Sequence, residues 1–383
     1  WQGTDEEYIQ LLQAAYRGAK RADPSCQVSM TGLAYPFPHT DRNGRLCDGR
    51  AFLEKCLKLA PNEFDIVNFH SYGGLAPLER KLREIDELMR QYHCTKPVWI
   101  TETGAATHLR GVSEQDQARY CAQAHASAFA AGVAKVFWHC FYDWGVDPNY
   151  NEHHFGLIHY DYSPKPAYMV YCAMTRELAG AKAATKLELG PGIRAVSFER
   201  AAGPVTVLWS ERDEQRVLLR LDADRAELTD LMGNPAPLAT ALRAVSLRLT
   251  PDPVYLKGAR VLAGLGPVVR LQDGLELRPG EALPAVLTIT NVFDTAVKGT
   301  CTVAVPPGWR VEPGAFPFEL AAGATRPVPL TLSGPTAMTA GRATVTCEVR
   351  IGELALPGLV AGSAVLAVPV GTGPRQVRVD GQL

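Results

Sequence analysis

The feature that most constrains the fold is an alternation of apolar strands and amphipathic helices along residues 1–182. In the helical segments, apolar residues recur every three or four positions, whereas the segments between them are short and continuously apolar. One such helical stripe consists of Leu75, Leu78, Leu82, Ile85 and Leu88. Strands that alternate with helices pair in parallel through right-handed crossovers. The sequence therefore predicts a parallel α/β sheet for this part of the chain.

The individual elements are predicted from their periodicity and their end signals. Thr4 and Glu7 have the spacing of a capping box at the start of the first helix, and Asp23-Pro24 ends that helix. The predicted strands are 27–33, 64–69, 97–101 and 133–141. The other predicted helices cover about 51–59, 75–92, 113–131 and 166–178.

The rest of the chain has the pattern of β-structure. Residues 183–260 lose the helical period and carry short apolar runs between turns such as Gly233-Asn234-Pro235, which indicates a small antiparallel β-domain. Residues 266–372 alternate apolar and polar side chains between Pro and Gly turns, a pattern typical of an immunoglobulin-like β-sandwich. The polar residues 373–383 are expected to form a tail.

Composition excludes some classes of partner. A formal net charge of -1 argues against a nucleic-acid partner, and no run of eighteen apolar residues predicts a membrane span. The nine cysteines contain no CxxC pair and are expected to be mostly free thiols. Cys301 and Cys347 fall on inward positions of predicted strands, where either a disulfide or two small buried thiols would fit. Because residue 1 is Trp, the sequence does not decide whether a targeting segment exists.

Polar and aromatic residues follow the predicted parallel strands at the carboxyl ends, where α/β barrels carry their catalytic groups. They are Asn68, His70 and Tyr72 after one strand, Glu102 after the next, and Trp138, Asp143 and Trp144 after the last. A carboxylate held by a tyrosine hydroxyl suits attack on the anomeric carbon of a sugar, followed by covalent trapping. Aromatic rings suit sugars because the C–H faces of a sugar stack on them. The pattern therefore indicates chemistry on a carbohydrate.

These segments resemble the second half of the clan A glycoside hydrolases, especially families 39 and 5. In those families strand 6 ends in His-x-Tyr, as at His70 and Tyr72, and strand 7 ends in Thr-Glu-x-Gly, as at Thr101 to Gly104. Strand 8 ends in an aromatic residue that floors the sugar site, as at Trp138. The segments 1–8 and 155–168 also resemble that pattern, so the likeness covers nearly all of residues 1–180.

The resemblance implies a retaining glycosidase that works by double displacement on a carbohydrate substrate. It assigns Glu102 as the nucleophile, Tyr72 as the residue that orients it, and His70 as a support or a sugar contact. The substrate contacts expected from the rim are Trp138, Trp144, Asn68, Tyr35 and His39. Neither a metal nor an organic cofactor is expected.

The chain also departs from the family pattern. A complete (β/α)8 barrel needs ~250 residues, and strands 1–4 together with the acid/base Glu have no counterpart in this sequence. The predicted fold is therefore the C-terminal half of a (β/α)8 TIM barrel in 1–182, followed by the two β-domains. We expect the N-terminal half-barrel to come from the same chain before Trp1 or from a second chain, and this chain alone to be inactive. Appended β-domains suggest an extracellular or periplasmic location by analogy only.

Two other classes of function remain open at this stage. A degenerate barrel would bind carbohydrate through Trp138 and Trp144 without catalysis, and a scaffold protein would bind sugar nowhere near Glu102. The presence of the nucleophile together with His70 and Tyr72 favours catalysis. A metal site at His153-His154 is disfavoured because no third ligand has suitable spacing, and a serine triad is disfavoured because GxSxG is absent.

Overall fold

The computed structural model describes residues 3–34, 38–40, 44, 46–336 and 341–366, and it is mostly β-structure with fewer helices. The helices of the described residues are α1 Asp5–Ala22, α2 Gly49–Leu59, α3 Leu75–Gln91, α4 Glu114–Ala130 and α5 Pro166–Leu178, with a 3-10 helix at Asn151–His154. The first strands in chain order are β1 His39–Thr40, β2 Leu46–Cys47, β3 Val67–Tyr72, β4 Val98–Gly104, β5 Lys135–Trp138, β6 Ala183–Leu187, β7 Ile193–Glu199 and β8 Val205–Ser210. The next are β9 Gln215–Leu221, β10 Glu227–Thr229, β11 Pro235–Ala236, β12 Thr240–Ala241, β13 Ala244–Leu249, β14 Val254–Lys257, β15 Val261–Leu265 and β16 Val269–Leu271. The last are β17 Leu275–Leu277, β18 Ala282–Thr290, β19 Val297–Ala304, β20 Arg310–Glu312, β21 Ala315–Leu320, β22 Thr325–Ser333, β23 Gly341–Ile351 and β24 Leu354–Leu366.

The predicted helices of the first part are confirmed, and their caps explain where they begin. Thr4 Oγ1 accepts a hydrogen bond from the amide of Glu7 at 3.2 Å, and the Glu7 carboxylate accepts from the amide of Thr4 at 2.7 Å. These two bonds satisfy amides that a helix start leaves without a partner. Asp48 caps α2 and Ser113 caps α4 more simply, since each side-chain oxygen accepts hydrogen bonds from first-turn amides without the reciprocal bond.

The parallel sheet is confirmed, with β3, β4 and β5 adjacent in chain order. The predicted strand 27–33 runs parallel beside β3 but pairs only through bridges at Ser29 and Leu33. The predicted strand 133–141 ends early, at Trp138. Beyond it, the amide of Cys140 turns to the carbonyl of Phe155 at 3.3 Å instead of continuing the ladder.

One face of this sheet is covered by helices. The core on that face contains buried side chains from α1 to α4 and from the strands, including Leu12, Leu53, Phe69, Leu78 and Ile100. A second core joins α4 and α5 to an antiparallel sheet of order β11-β10-β14-β8-β7-β6. Burial of these apolar faces supplies most of the driving force for folding of the first compact unit.

The chain divides into two compact units, one of residues 1–215, 225–238 and 249–261 and the other of 216–224, 239–248 and 262–383. This division differs from the predicted boundaries at 182, 260 and 266, since part of the predicted middle domain groups with the last one. The physical reason is a shared core, because Leu218 on β9 and Ala244 on β13 are buried among the apolar side chains of the second unit. The three-domain division stays a prediction.

The described residues of the second unit form sheets of order β16-β18-β22-β20 and β17-β24-β23-β19-β21, together with most of a sheet of order β12-β13-β9-β15, and buried side chains of all three share one core. The predicted alternation is confirmed, since Ala285, Leu287 and Ile289 are buried on one face of β18. Cys301 and Cys347 lie buried on the neighbouring strands β19 and β23 as free thiols. The immunoglobulin-like topology of this unit stays a prediction. Within the described part of the chain, no helix is long and apolar enough to cross a membrane.

Candidate active site

The carboxyl ends of β3 and β4 bring three predicted residues together. Tyr72 donates its hydroxyl hydrogen bond to Oε2 of Glu102 at 2.7 Å. Nδ1 of His70 lies 3.2 Å from the same oxygen. Within the described residues, Oε1 of Glu102 accepts no hydrogen bond. One carboxylate oxygen is therefore held by two neighbours and the other is open.

A shift in strand register produces this geometry. Phe69 pairs with Ile100, but the next residue, His70, pairs with Glu102, so that Thr101 is an extra residue in β4. A bulge of this kind changes the face to which the following side chain points. Thr101 Oγ1 donates to Asn68 Oδ1 at 2.7 Å, so the extra residue is tied back to β3.

Asn68 lies below the three residues and is 7% exposed. Its amide oxygen bonds Thr101, and its amide nitrogen lies 3.5 Å from the carbonyl of Met30. These contacts favour a role in joining neighbouring strands. The predicted contact of Asn68 with substrate stays a prediction.

Burial determines the protonation of the two groups that hold Glu102. It raises the pKa of Tyr72, and the hydrogen bond to Glu102 raises it further, so the phenol keeps the proton that it donates. Burial lowers the pKa of His70 more than the nearby Glu102 raises it. His70 is therefore neutral at neutral pH, and its contact with Glu102 requires the remaining proton to be on Nδ1.

Gly32 shapes the space behind His70. A Cβ atom at Gly32 would lie 2.2 Å from Nε2 of His70, which no side chain can tolerate without displacing the ring. The neighbouring carbonyl of His70 accepts from the buried ammonium of Lys81 at 2.9 Å. Neither Gly32 nor Lys81 carries a recognisable signal in the sequence, since both act through contacts distant in the chain.

An aromatic wall stands beside Tyr72, and part of it was missed from the sequence. The ring of Phe155 lies 5.4 Å from the ring of Tyr72 and 5.4 Å from that of His139. Trp144, which is 53% exposed, lies 5.5 Å from His139. Glu152 approaches His139 at 4.0 Å. The structure thus places predicted Trp144 in the same cluster as His139, whose ring lies 6.2 Å from that of Tyr72.

Trp138 is placed differently from the expectation. Its ring lies 6.1 Å from that of Tyr120 on α4, and its indole donates to the carbonyl of Phe155 at 3.3 Å. Trp138 pairs with Thr103, whose hydroxyl also contacts Tyr120 at 3.0 Å. Both side chains therefore point to the helix-covered face of the sheet, opposite to Glu102. This placement favours a core role, and sugar contact by Trp138 stays a prediction.

The other residues predicted to lie in rim loops have fewer described contacts. Tyr35 lies outside the described residues, and for His39 only the backbone is described, in β1 opposite Cys47. His153 and His154 bond the backbone of Asp147, at 3.2 and 2.7 Å. Their rings therefore hold the loop after β5.

Part of the chain is similar to known glycoside hydrolases. Residues 6–157 match the family model of the glycosyl hydrolase catalytic core. A family 39 glycoside hydrolase from Bacteroides cellulosilyticus WH2 is similar with a TM-score of 0.52 and 23% identity, over 65% of this chain and 54% of that one. A family 30 endoxylanase from Clostridium papyrosolvens C71 gives a TM-score of 0.46 and 10% identity, over 67% and 61% of the two chains. No curated protein matches the chain.

The chain spans about half the length of the family 39 structure. The family match lies entirely within the first compact unit. It includes β5 as well as β3, which carries His70 and Tyr72, and β4, which carries Glu102. Residues 6–157 of this chain, which include His70, Tyr72 and Glu102, are therefore similar to a glycosyl hydrolase catalytic core.

Proposed function

We propose that the protein is a retaining glycoside hydrolase in which Glu102 is the nucleophile. The observation that carries the proposal is the hydrogen bond from Tyr72 to one oxygen of Glu102 at 2.7 Å, with the other oxygen open. A nucleophilic carboxylate needs one oxygen free to form the new bond and a fixed orientation towards the sugar. The pair meets both requirements.

In the first step, Oε1 of Glu102 attacks the anomeric carbon as the glycosidic bond breaks. The leaving oxygen takes a proton from a second carboxylic acid, and the sugar becomes an ester of Glu102. The negative charge on Oε2 decreases as the ester forms, so the hydrogen bond from Tyr72 weakens. In the second step the second carboxylate takes a proton from water as the water oxygen attacks the anomeric carbon, and the bond from that carbon to Oε1 of Glu102 breaks. The Glu102 carboxylate is regenerated, and Tyr72 bonds a full charge again.

The proton donor is expected ~5–5.5 Å from the nucleophile across the scissile bond. Following the resemblance, we propose that it lies in an N-terminal half-barrel outside this sequence. Four parallel segments, the predicted strand 27–33 and β3 to β5, would then be the second half of the barrel. On this proposal the chain alone supplies the nucleophile and is inactive on ordinary glycosides.

Exposed aromatic residues on the sheet face opposite the helices support the proposal that another segment packs there. Phe137 on that face is 44% exposed and packs against Trp99 at 5.9 Å, and Lys135 lies 4.2 Å above the Trp99 ring. Exposed aromatic rings on a sheet face are typical of a surface that another segment covers.

If another segment covers this face, the chain alone should bind a hydrophobic dye, and Phe137→Glu should reduce the dye fluorescence. An unchanged signal would contradict this part of the proposal.

Trapping of the covalent intermediate tests the nucleophile directly. The chain is incubated with 2,4-dinitrophenyl 2-deoxy-2-fluoro glycosides of glucose, xylose and galactose, whose leaving group departs without a proton donor. We expect intact-mass measurement to show one added fluoro-sugar, and peptide mapping to place it on Glu102. Glu102→Gln should remain unlabelled, whereas Glu152→Gln, a matched carboxylate in the same cluster, should be labelled.

Two outcomes would overturn the assignment. One is a label on any carboxylate other than Glu102. The other is no label with any of the three sugars together with saturable sugar binding that Trp144→Ala abolishes. The second result would support the alternative of a carbohydrate-binding protein without catalysis.

A further inference from the structure

An ion pair lies buried behind the candidate site, between α5 and the segment after β5. Nζ of Lys165 lies 2.8 Å from Oδ2 and 2.9 Å from Oδ1 of Asp143, and the two side chains are 0% and 4% exposed. Lysine is among the residues least often buried, and removing two charges from water is costly unless every polar atom finds a partner. The burial of this ion pair is therefore explained by the segments of the chain that it holds together.

The remaining contacts of the pair join three segments of the chain. Lys165 donates to Thr107 Oγ1 at 3.0 Å and lies 3.5 Å from the carbonyl of His154. Asp143 Oδ1 accepts from the amide of Gly156 at 2.7 Å. The loop after β4, the segment after β5 and the backbone on both sides of Phe155 are thereby fixed to one buried centre.

Gly156 shows how closely these segments approach. A Cβ atom there would lie 2.3 Å from the amide nitrogen of Asp143 and 2.4 Å from the carbonyl carbon of Tyr142. Only glycine lets the backbone come near enough to donate to the Asp143 carboxylate. The ion pair therefore fixes the residue that follows Phe155, while the carbonyl of Phe155 itself accepts from Trp138 and Cys140.

Phe155 connects this centre to the nucleophile. Its ring packs on the edge of Tyr72 at 5.4 Å, and Tyr72 holds Glu102 at 2.7 Å. We propose that Lys165 and Asp143 are positioning residues for Glu102, acting through Phe155 and Tyr72. This inference rests on the proposed role of Glu102, although the contacts from Lys165 to Tyr72 do not depend on it.

A purely structural pair would affect stability without affecting Tyr72. The first compact unit offers a matched control in Glu177 and Lys257, which pair at 3.1 Å and join α5 to β14. Glu177 is 7% exposed, so breaking this pair also leaves a largely buried charge, whose other oxygen stays 3.4 Å from Nε of Arg176. In the part of the chain that is described, it shares no hydrogen-bond partner with Phe155 or Tyr72.

The test compares Lys165→Met and Asp143→Leu/Lys165→Met with Lys257→Met. The double variant removes both charges, so it keeps the test valid if an unpaired Asp143 prevents folding. The first readout is the resonance of the Tyr72 phenol carbon in ring-labelled protein, identified by its loss in Tyr72→Phe. The second is the rate at which the fluoro-glycoside labels Glu102, compared at equal fractions of folded protein.

We expect the Tyr72 resonance in the Lys165 variants to move towards its position in Glu102→Ala, and labelling to slow about tenfold to a hundredfold. Lys257→Met should lose stability with both readouts unchanged. The inference is overturned if the Lys165 variants leave the Tyr72 resonance at its original position. If wild-type protein is never labelled but the resonance still moves, the proposed hydrolase function fails and the positioning role stands.

Discussion

Replacing Tyr72 by Phe removes one hydroxyl and leaves the packing of the ring against Phe155 in place. The lost contact is a 2.7 Å hydrogen bond to a charged carboxylate, a kind of bond that contributes about 1.5–3 kcal/mol. Water can replace part of it, because the Glu102 side chain is 39% exposed. Because this bond weakens as the ester forms, its energy sets only an upper limit, and the loss of the fixed orientation of Glu102 is what slows attack. We therefore expect labelling to slow by at most about tenfold to fortyfold, the lower half of that range at ~1.36 kcal/mol per factor of ten.

The assay is the rate of covalent labelling by the dinitrophenyl fluoro-glycoside, followed by intact mass under single-turnover conditions. Tyr150→Phe is a matched control, since Tyr150 is exposed in the loop after β5 and its ring contacts His153 at 4.9 Å. The control should label at the wild-type rate. If Tyr72→Phe also labels at that rate, the hydrogen bond does not position the nucleophile and the reasoning from geometry is refuted.

Three further predictions concern space, packing and pH. Gly32→Ala should displace His70, whose Nε2 would lie 2.2 Å from the new methyl group, and should slow labelling of the folded protein; equal rates would contradict the steric argument. Leu287→Ala, at a fully buried site in the second unit, should lower the free energy of unfolding measured by urea titration by about 2–5 kcal/mol. Val286→Ala, on the solvent-exposed face of β18, should change the same quantity by under about 0.5 kcal/mol. Burial lowers the pKa of His125 to about 4 in the folded state, so the unfolded chain binds the extra proton first and stability falls as pH decreases from about 6.5 towards 4. His125→Phe should remove up to about 3 kcal/mol of this loss of stability. Urea titration of the wild type and the variant at pH 7 and pH 4.5 measures it, and an equal fall in unfolding free energy in both proteins would contradict the prediction.

Much of the local structure could be predicted because it depends on neighbours in the chain. The capping box of α1 and the alternating faces of β18 and β23 follow from short-range spacing, and both are confirmed. The grouping of β9 and β13 with the second unit could not be predicted, because it depends on which distant apolar surface covers Leu218 and Ala244.

The candidate site shows the same division between local and long-range causes. The sequence by itself determined that His70, Tyr72 and Glu102 would follow neighbouring parallel strands, since their order and period are local properties. Only the tertiary structure decided that Trp138 faces the helices and that Phe155 packs on Tyr72, because a register shift of one residue reverses the face of a strand. The buried pair of Lys165 and Asp143 also belongs to the tertiary structure, because a charge leaves water only where distant segments meet to satisfy it.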